Sequence, residues 1–575
     1  MRISFYTLAG ILMLTLAMTA HSDKYPTTDF ISPVRHTIKL SGTFGELRSN
    51  HFHAGLDIKS ERGVEGDPIY ASYDGFVSRI KVEEYGYGNA LYIEHPNGYT
   101  TVYAHLLNFS PEIEAFVKSE QYKQKSFEVN LYPDPGEFAF NKNQQIGNMG
   151  NTGSSGGAHL HFEIRHTAGQ VAVNPLHFGF PIDDQKTPVL QELLIYELDA
   201  SGNILKTREV YPKYQTKGAY IIEQPLEFSS EKIAFSLRTY DSQDGSSNKN
   251  GIYGLQCKVD NEPSFAFTLD EISFPQSRYL NAHIDYEKKV DEGRFYHRCH
   301  PLEGNKLRIY YTGKEKGIIH LNADTSRHIK LEVSDFKNNT STLSFDVRRN
   351  LNLKLDEPEA IVCEIYAKPN QVNILSKPGL QVVWPIGSFY ERTPVSLIIN
   401  PADSLKTFSP YFGLAPFGSA IHYYFDVKIE GLSVPKPLLD KAFIARCNPE
   451  AECVSCGGEW IGNNLTASVR QMGTYTIMID TIAPQIRPVH FGSVMTGWKR
   501  MAFKISDNFE INDRGRDLLY EGYVDGEWIL FSLDGKSGML THDFDDRIPP
   551  GEHELILKVI DDRGNETVLE KSFTL

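Results

Sequence analysis

Cysteine is scarce and late. Of six cysteines in 575 residues the first is Cys257, so none stands behind the apolar N-terminal stretch to take a lipid. Beyond Ile3 to Met18 no apolar run is long enough to cross a bilayer. Positive charge is also short: Lys and Arg number 58 against 73 Asp and Glu, a formal net charge of −15. A chain this acidic is a poor partner for nucleic acid. It is not held on an anionic wall by a basic patch, so any contact there must be specific or short-range. The helical metal signature His-Glu-x-x-His is absent, since His553-Glu554 lacks its second histidine. Gly153-Ser-Ser-Gly-Gly157 has the spacing of a serine-hydrolase elbow, but that element needs a strand before it and a helix after it. A strand pattern follows instead and no triad order supports it, so these residues read as a turn.

Met1-Arg2, the apolar run and Ala20-His-Ser22 predict a secretory signal over residues 1–22, with the mature chain starting near Asp23. The alternative is an uncleaved anchor, for which the run is short and interrupted by Ser4, Thr7 and Thr15. Export to the periplasm or cell envelope follows, with no membrane span after signal removal. About 550 mature residues imply several domains.

Three motifs concentrate the chemistry: His53-Ala-Gly-Leu-Asp57, Tyr103-Ala-His105-Leu106 and His159-Leu-His161-Phe-Glu163. A lone His-x-His is cheap among 19 histidines, and His51-Phe-His53 is a second case. Order and context weigh more. Gly55 removes a side chain between two candidate ligands. His159, His161 and Glu163 alternate with Leu160, Phe162 and Ile164, the pattern of a half-buried strand with both histidines on one face. Thr101 to His105 alternates likewise and is expected to put Tyr103 and His105 on one face. Two imidazoles and a carboxylate suit a divalent metal that leaves a position for water. The remaining histidines can carry protons near neutral pH.

In this order the motifs resemble the lysostaphin/LytM-type zinc metallopeptidases, which cut peptidoglycan cross-bridges. Gly86 to His95 and Gln145 to Gly153 match the family's flanks, so the resemblance covers about residues 30–180. It implies one Zn²⁺ bound by His53, Asp57 and His161, with His105 and His159 as the catalytic pair. His159 is preferred as the group that takes the proton from water. His105 is preferred for stabilising the oxyanion or protonating the leaving amine, and the order within the pair stays open. Tyr103 is a candidate oxyanion donor and Glu163 a candidate orienting group, each with an ordinary strand role as the alternative. Arg48 is a weak candidate for a substrate carboxylate. The implied substrates are peptidoglycan stem peptides and cross-bridges. Competing readings are a non-catalytic module that binds or activates other cell-wall enzymes, a zinc D,D-carboxypeptidase, and an adhesion scaffold with an accessory peptidase.

The fold class expected is mainly β: an antiparallel LytM-type peptidase domain over residues 23–184, then β-sandwich modules. Ile233 to Leu237, Val259 to Asp270 and Leu331 to Asp335 with Asn339 parallel Met501 to Ile505, Val524 to Asp534 and Leu557 to Asp561 with Asn565. This repeat resembles immunoglobulin-like modules and places them at 185–349 and 481–575, with a different β-rich unit at 350–480. Envelope proteins are the partners expected for them. Residues 107–140 read either as a wall of the substrate groove or as a surface loop. Cys453-Val-Ser-Cys456 reads as a disulfide or free thiols rather than half a zinc site, and six cysteines allow 15 pairings. With no catalytic constellation past residue 180, the peptidase domain is expected to be separable from the rest.

Overall fold

The computed structural model describes residues 24–323, 325–354, 362–403, 406–448, 452–511 and 518–575. The expected signal, residues 1–22, and the Asp23 start lie outside them. The chain is mainly β.

Alternating apolar residues build the N-terminal unit from β1 (Leu40–Gly42), β2 (Leu56–Lys59), β3 (Pro68–Tyr70), β4 (Gly75–Val82), β5 (Ala90–Glu94), β6 (Tyr99–Ala104), β7 (Leu106–Phe109), α1 (Pro111–Gln124), β8 (Val129–Leu131), β9 (Ala139–Phe140), β10 (Gln145–Met149), β11 (His159–His166) and β12 (Ala172–Val173). The main sheet runs β1-β2-β11-β6-β5-β4-β8, and β3-β10-β7 form a second, smaller sheet. Leu56, Ile58, Leu91, Ile93, Tyr103, Leu160 and Phe162 bury one face of the main sheet in a common core. The segment 107–140 contains a helix that the sequence reading did not foresee. Pro111 starts it, Glu112 and Glu114 suit its positive N-terminal end, and Ile113 and Val117, four apart, are buried.

Strand β11 was expected to be half-buried. It is covered on both faces: Glu163 is fully buried and Arg165 nearly so. The reason is the next unit. Its strand Glu271–Ile272 pairs with β12 and extends the main sheet of the first unit. Phe44, Phe52 and Ala172 lie in the core of the second unit, not of the first. Phe52 N–H donates to Ser277 Oγ at 2.9 Å, and Leu40 N–H to Gln243 Oε1 at 2.9 Å.

Strands between Val189 and Arg349 form a five-stranded and an eight-stranded sheet. Short helices Phe274–Ser277, Leu280–His283 and Tyr286–Glu292 interrupt them, where only strands were expected. Ile365 to Ile479 contribute a six- and a five-stranded sheet, and Gln485 to Thr574 two four-stranded sheets. The sequence repeat has a structural counterpart. Hairpins Ser326–Ser334/Thr340–Arg349 and Glu552–Ile560/Glu566–Thr574 turn through the same motif. Asn339 Nδ2 donates to Asp335 and Asn565 Nδ2 to Asp561, each at 2.7 Å. Cys447 is bonded to Cys453, so the two cysteines of the Cys453–Cys456 pair are not joined to each other.

The chain closes on itself. Lys118 pairs with Asp545 at 2.7 Å, Tyr520 OH donates to Glu84 at 2.8 Å, and Tyr122 meets Trp528 edge-on at 5.3 Å. Lys536 Nζ donates to the carbonyls of Asn151 at 2.8 Å and Ser155 at 3.0 Å, in the turn that leads into β11.

These contacts bear on the expectation of a separable N-terminal domain, which a truncation tests. A chain ending at residue 184 would uncover Phe44 and Phe52, each worth ~1.5–3 kcal/mol when buried. It should therefore unfold at a lower temperature than a chain ending at residue 354. Equal midpoints in thermal unfolding would show that the second unit contributes nothing to the first.

Candidate active site

The site is a product of strand register. In β11, His161 stands directly opposite Asp57 of β2 on one side and Ala104 of β6 on the other. His105 follows Ala104, and His53 precedes β2 by three residues. Gly55 lies in that lead-in. A Cβ there would come 2.4 Å from the Phe162 carbonyl oxygen, so the glycine allows the chain to cross close over β11. Gly153, at φ +70°, serves the turn into β11, where a Cβ would lie 2.3 Å from Gly88 N.

His53, Asp57 and His161 offer ligand atoms no farther than 4.8 Å apart. His53 Nε2 and His161 Nδ1 each lie 2.9 Å from Asp57 Oδ1. The other ring nitrogens fix the tautomers. A carbonyl only accepts, so the 2.8 Å contact with Thr43 O puts the hydrogen of His53 on Nδ1 and frees Nε2. His161 Nε2–H donates to Glu163 Oε1 at 2.8 Å, which leaves Nδ1 for a metal. Glu163 in turn accepts from Tyr87 OH and from Arg165 Nε, each at 2.6 Å. Glu163 thus does orient His161. Tyr87 and Arg165 were not singled out from the sequence, although Arg165 continues the same alternation.

The other two histidines face the same point. His105 Nδ1–H donates to Thr152 O and His159 Nδ1–H to Gly157 O, each at 2.8 Å. Their Nε2 atoms are left free of these carbonyls, and His159 Nε2 is 3.4 Å from Asp57 Oδ1. The two rings are 4.8 Å apart. His105 adopts φ 60°, in the left-handed region that a non-glycine residue rarely occupies. That kink breaks the expected alternation. Tyr103 does not share a face with His105: it is buried in the core, where its hydroxyl accepts from Ser72 N–H at 2.8 Å. It is removed as an oxyanion donor. Arg48 also has a different place from the one expected. Its Nη2 donates to Asp57 Oδ2 at 2.6 Å, which occupies that oxygen and leaves Oδ1 toward the histidines.

The charges are strongly coupled. Burial alone would raise the Asp57 carboxyl, but His53, His159 and His161 hold it well below the usual carboxylate range. Burial would lower His161, yet Asp57 and Glu163 outweigh it and push it up to about 9. Burial, then His161 and His159, push His105 down to about 3, so it is neutral at physiological pH. Two imidazole nitrogens and one carboxylate oxygen, with tautomers already fixed, fit a zinc-type ion with an open position.

Residues 51–122 match the model of peptidase family M23, and residues 364–480 that of a Zu5-like domain. The DD-carboxypeptidase/endopeptidase Mpg of Neisseria meningitidis is 34% identical over 156 residues, which are 26% of this chain and 29% of that one. The murein hydrolase activator NlpD of Escherichia coli is 32% identical over 140 residues, 24% of this chain and 29% of that one. The chain thus spans under a third of the length of each of these relatives. The catalytic domain of lysostaphin from Staphylococcus simulans matches at 22% identity and TM-score 0.18, covering 24% of this chain and 91% of that one.

Because His161 holds a proton up to about pH 9, a metal must displace it. The apparent zinc affinity, measured by chelator competition, should rise about tenfold per pH unit and level off above pH 9. Glu163→Gln should weaken the metal by ~10–100-fold. An affinity independent of pH between 6 and 8 would contradict the first expectation.

Proposed function

We propose that this chain, whose N-terminal unit is an M23-type peptidase domain, is an exported zinc metalloendopeptidase that hydrolyses the peptide cross-links of bacterial peptidoglycan. The observation that carries this reading is the convergence of His53, Asp57, His105, His159 and His161, each histidine held by a partner behind it. His53, Asp57 and His161 would hold the zinc. When bound, zinc supplies Lewis acidity, which polarises a scissile carbonyl and acidifies water.

The chain's own residues handle the proton. His159 and His105 both donate from Nδ1 to backbone carbonyls, so in the neutral form each turns an Nε2 lone pair outward. Both can therefore accept and neither can donate at the start. His159, the closer to Asp57, takes the proton of the attacking water at Nε2. His105 becomes a donor to the oxyanion or the leaving amine only after it gains a proton. Carbonyls Thr152 and Gly157, in the turn gripped by Lys536, aim both rings.

A second reading, a non-catalytic activator, draws on the similarity to NlpD. The complete set of five side chains weighs against it. A D,D-carboxypeptidase draws on the dual name of Mpg. The later units are the natural place for contacts with envelope proteins and for positioning the enzyme at the wall.

Mass spectrometry of the products from peptidoglycan treated with the zinc-loaded protein separates these readings. Cleaved cross-links support the endopeptidase, loss of terminal residues alone the carboxypeptidase, and no product the activator. His53→Ala, Asp57→Ala and His161→Ala should lose zinc and activity together. His105→Ala and His159→Ala should keep zinc and lose ~10²–10⁴-fold in turnover. Near-normal turnover in His159→Ala would remove it as the base.

A further inference from the structure

Two further carboxylate clusters occupy equivalent places in the repeated modules. Asp184, Asp241 and Asp335 offer oxygens no farther than 4.8 Å apart, and so do Asp480, Asp507 and Asp561. The surroundings repeat as well. Asn339 Nδ2 donates to Asp184 O at 3.1 Å, and Asn565 Nδ2 to Asp480 O at 3.2 Å. Lys186 N–H donates to Asp184 Oδ1 and Ile482 N–H to Asp480 Oδ1, each at 3.0 Å.

Proximity of acids alone means little, but two aspartates of each trio are buried and both trios are incompletely satisfied. Asp241 is 5% exposed and its Oδ1 has no hydrogen-bond donor among the described residues. Asp480 is 1% exposed and its Oδ2 likewise has none among the described residues, and Asp507 Oδ1 is a third such atom. A buried carboxylate oxygen without a donor is costly unless a cation faces it. Beside the first cluster is a cavity of about 40 Å³ lined by Leu40, Thr43, Asp184, Asp241, Asn250 and Asp335. Asn250 Oδ1 is another buried acceptor without a donor. The first cluster has a neighbouring ammonium, Lys186, whose Nζ donates to Gln243 O at 2.9 Å. The equivalent position in the second is Ile482, which supplies no charge. Burial first, then neighbouring carboxylates, push Asp241 up to about 8 and Asp507 up to about 6.

We propose that these two aspartate trios are calcium sites, each pinning the entry of a repeated module to the unit before it. The donors are all oxygen, with no histidine or cysteine, which selects a hard cation. Oxygens no farther than 4.8 Å from one another can converge on one ion, and calcium, with its flexible geometry at roughly 2.3–2.6 Å, is held by such protein oxygens more readily than Mg²⁺, which demands a near-ideal octahedron and keeps its waters. Three carboxylates plus a carbonyl or amide oxygen and water reach the six to eight ligands, roughly, that calcium takes.

The location gives the role. In the first site, Gln243 and Gly251 flank the Asp241 hairpin and bond to the peptidase unit: Gln243 Nε2 donates to Ile38 O at 2.9 Å and Gly251 N–H to Thr43 Oγ1 at 3.0 Å. In the second, Asp480 follows directly on the last strand of the third unit, Thr474–Ile479, and Ser455 N–H of that unit donates to Glu510 O at 2.8 Å. Each ion would fix three segments at a junction: the entering linker, a loop on the inter-unit face and the turn of the closing hairpin.

The test is calcium titration of the zinc-loaded full chain by calorimetry, with thermal unfolding in calcium and in EGTA. Two sites are expected, with a higher unfolding midpoint in calcium. Asp241→Asn and Asp507→Asn should each lower the stoichiometry from two to one. Circular dichroism of both variants checks that they are folded. No calcium-dependent heat or midpoint shift in the full chain would overturn the proposal. So would equal binding of magnesium, or an unchanged stoichiometry in both variants.

Discussion

The pairing of strand His159–His166 between Leu56–Lys59 and Tyr99–Ala104 is the constraint on which the site depends. Three segments that are distant in sequence become neighbours at one level of one sheet, with His161 opposite Asp57 and Ala104. A slip of one residue would send His161 to the apolar face and Phe162 to the site. The core guards against this, because Leu160, Phe162 and Ile164 are all fully buried on the other side. Hydrophobic burial, which has no chemistry of its own, thus fixes the chemistry to within one strand position.

That arrangement carries a cost on its polar face. His161, Glu163 and Arg165 are all taken out of water, and a partly satisfied network there would be worse than an apolar one. It is closed by Tyr87, whose hydroxyl donates to Glu163, and by the Arg165 guanidinium, which lies 4.3 Å over the ring of Phe274. Phe274 belongs to the second unit. The peptidase sheet therefore depends on its neighbour for the lid of its own ligand network as well as for the cover of Phe44 and Phe52.

Residues whose type is demanded by chemistry were legible: the histidines and Asp57 stand out by kind, and the alternation in β11 tells which side they share. Residues whose role comes from geometry were not. Tyr103 was misplaced because nothing in Thr101-Val-Tyr-Ala-His105 announces a left-handed residue at its end, and that single dihedral undoes the period-two argument. Arg48 looked free for substrate because its pairing with Asp57 spans a turn that composition does not reveal. Helix α1 buries little more than Ile113 and Val117, too faint a stripe to show through mixed charge. The aspartate trios are invisible as motifs, since their members come from three separate turns. The repeat made the modules visible but not the ionic junctions between them.

The contact between Lys536 and the Asn151–Ser155 turn joins residues 385 and 381 positions apart. Chains are made at roughly 5–20 residues per second, so the histidine-bearing strand exists for the order of 20–80 seconds before the lysine that grips its lead-in has been synthesised. The last unit must be made before that turn is held. The order of synthesis therefore acts as a timer: a chain cut short or stalled before its last module carries His53, Asp57, His105, His159 and His161, yet lacks the hand that steadies the turn before them.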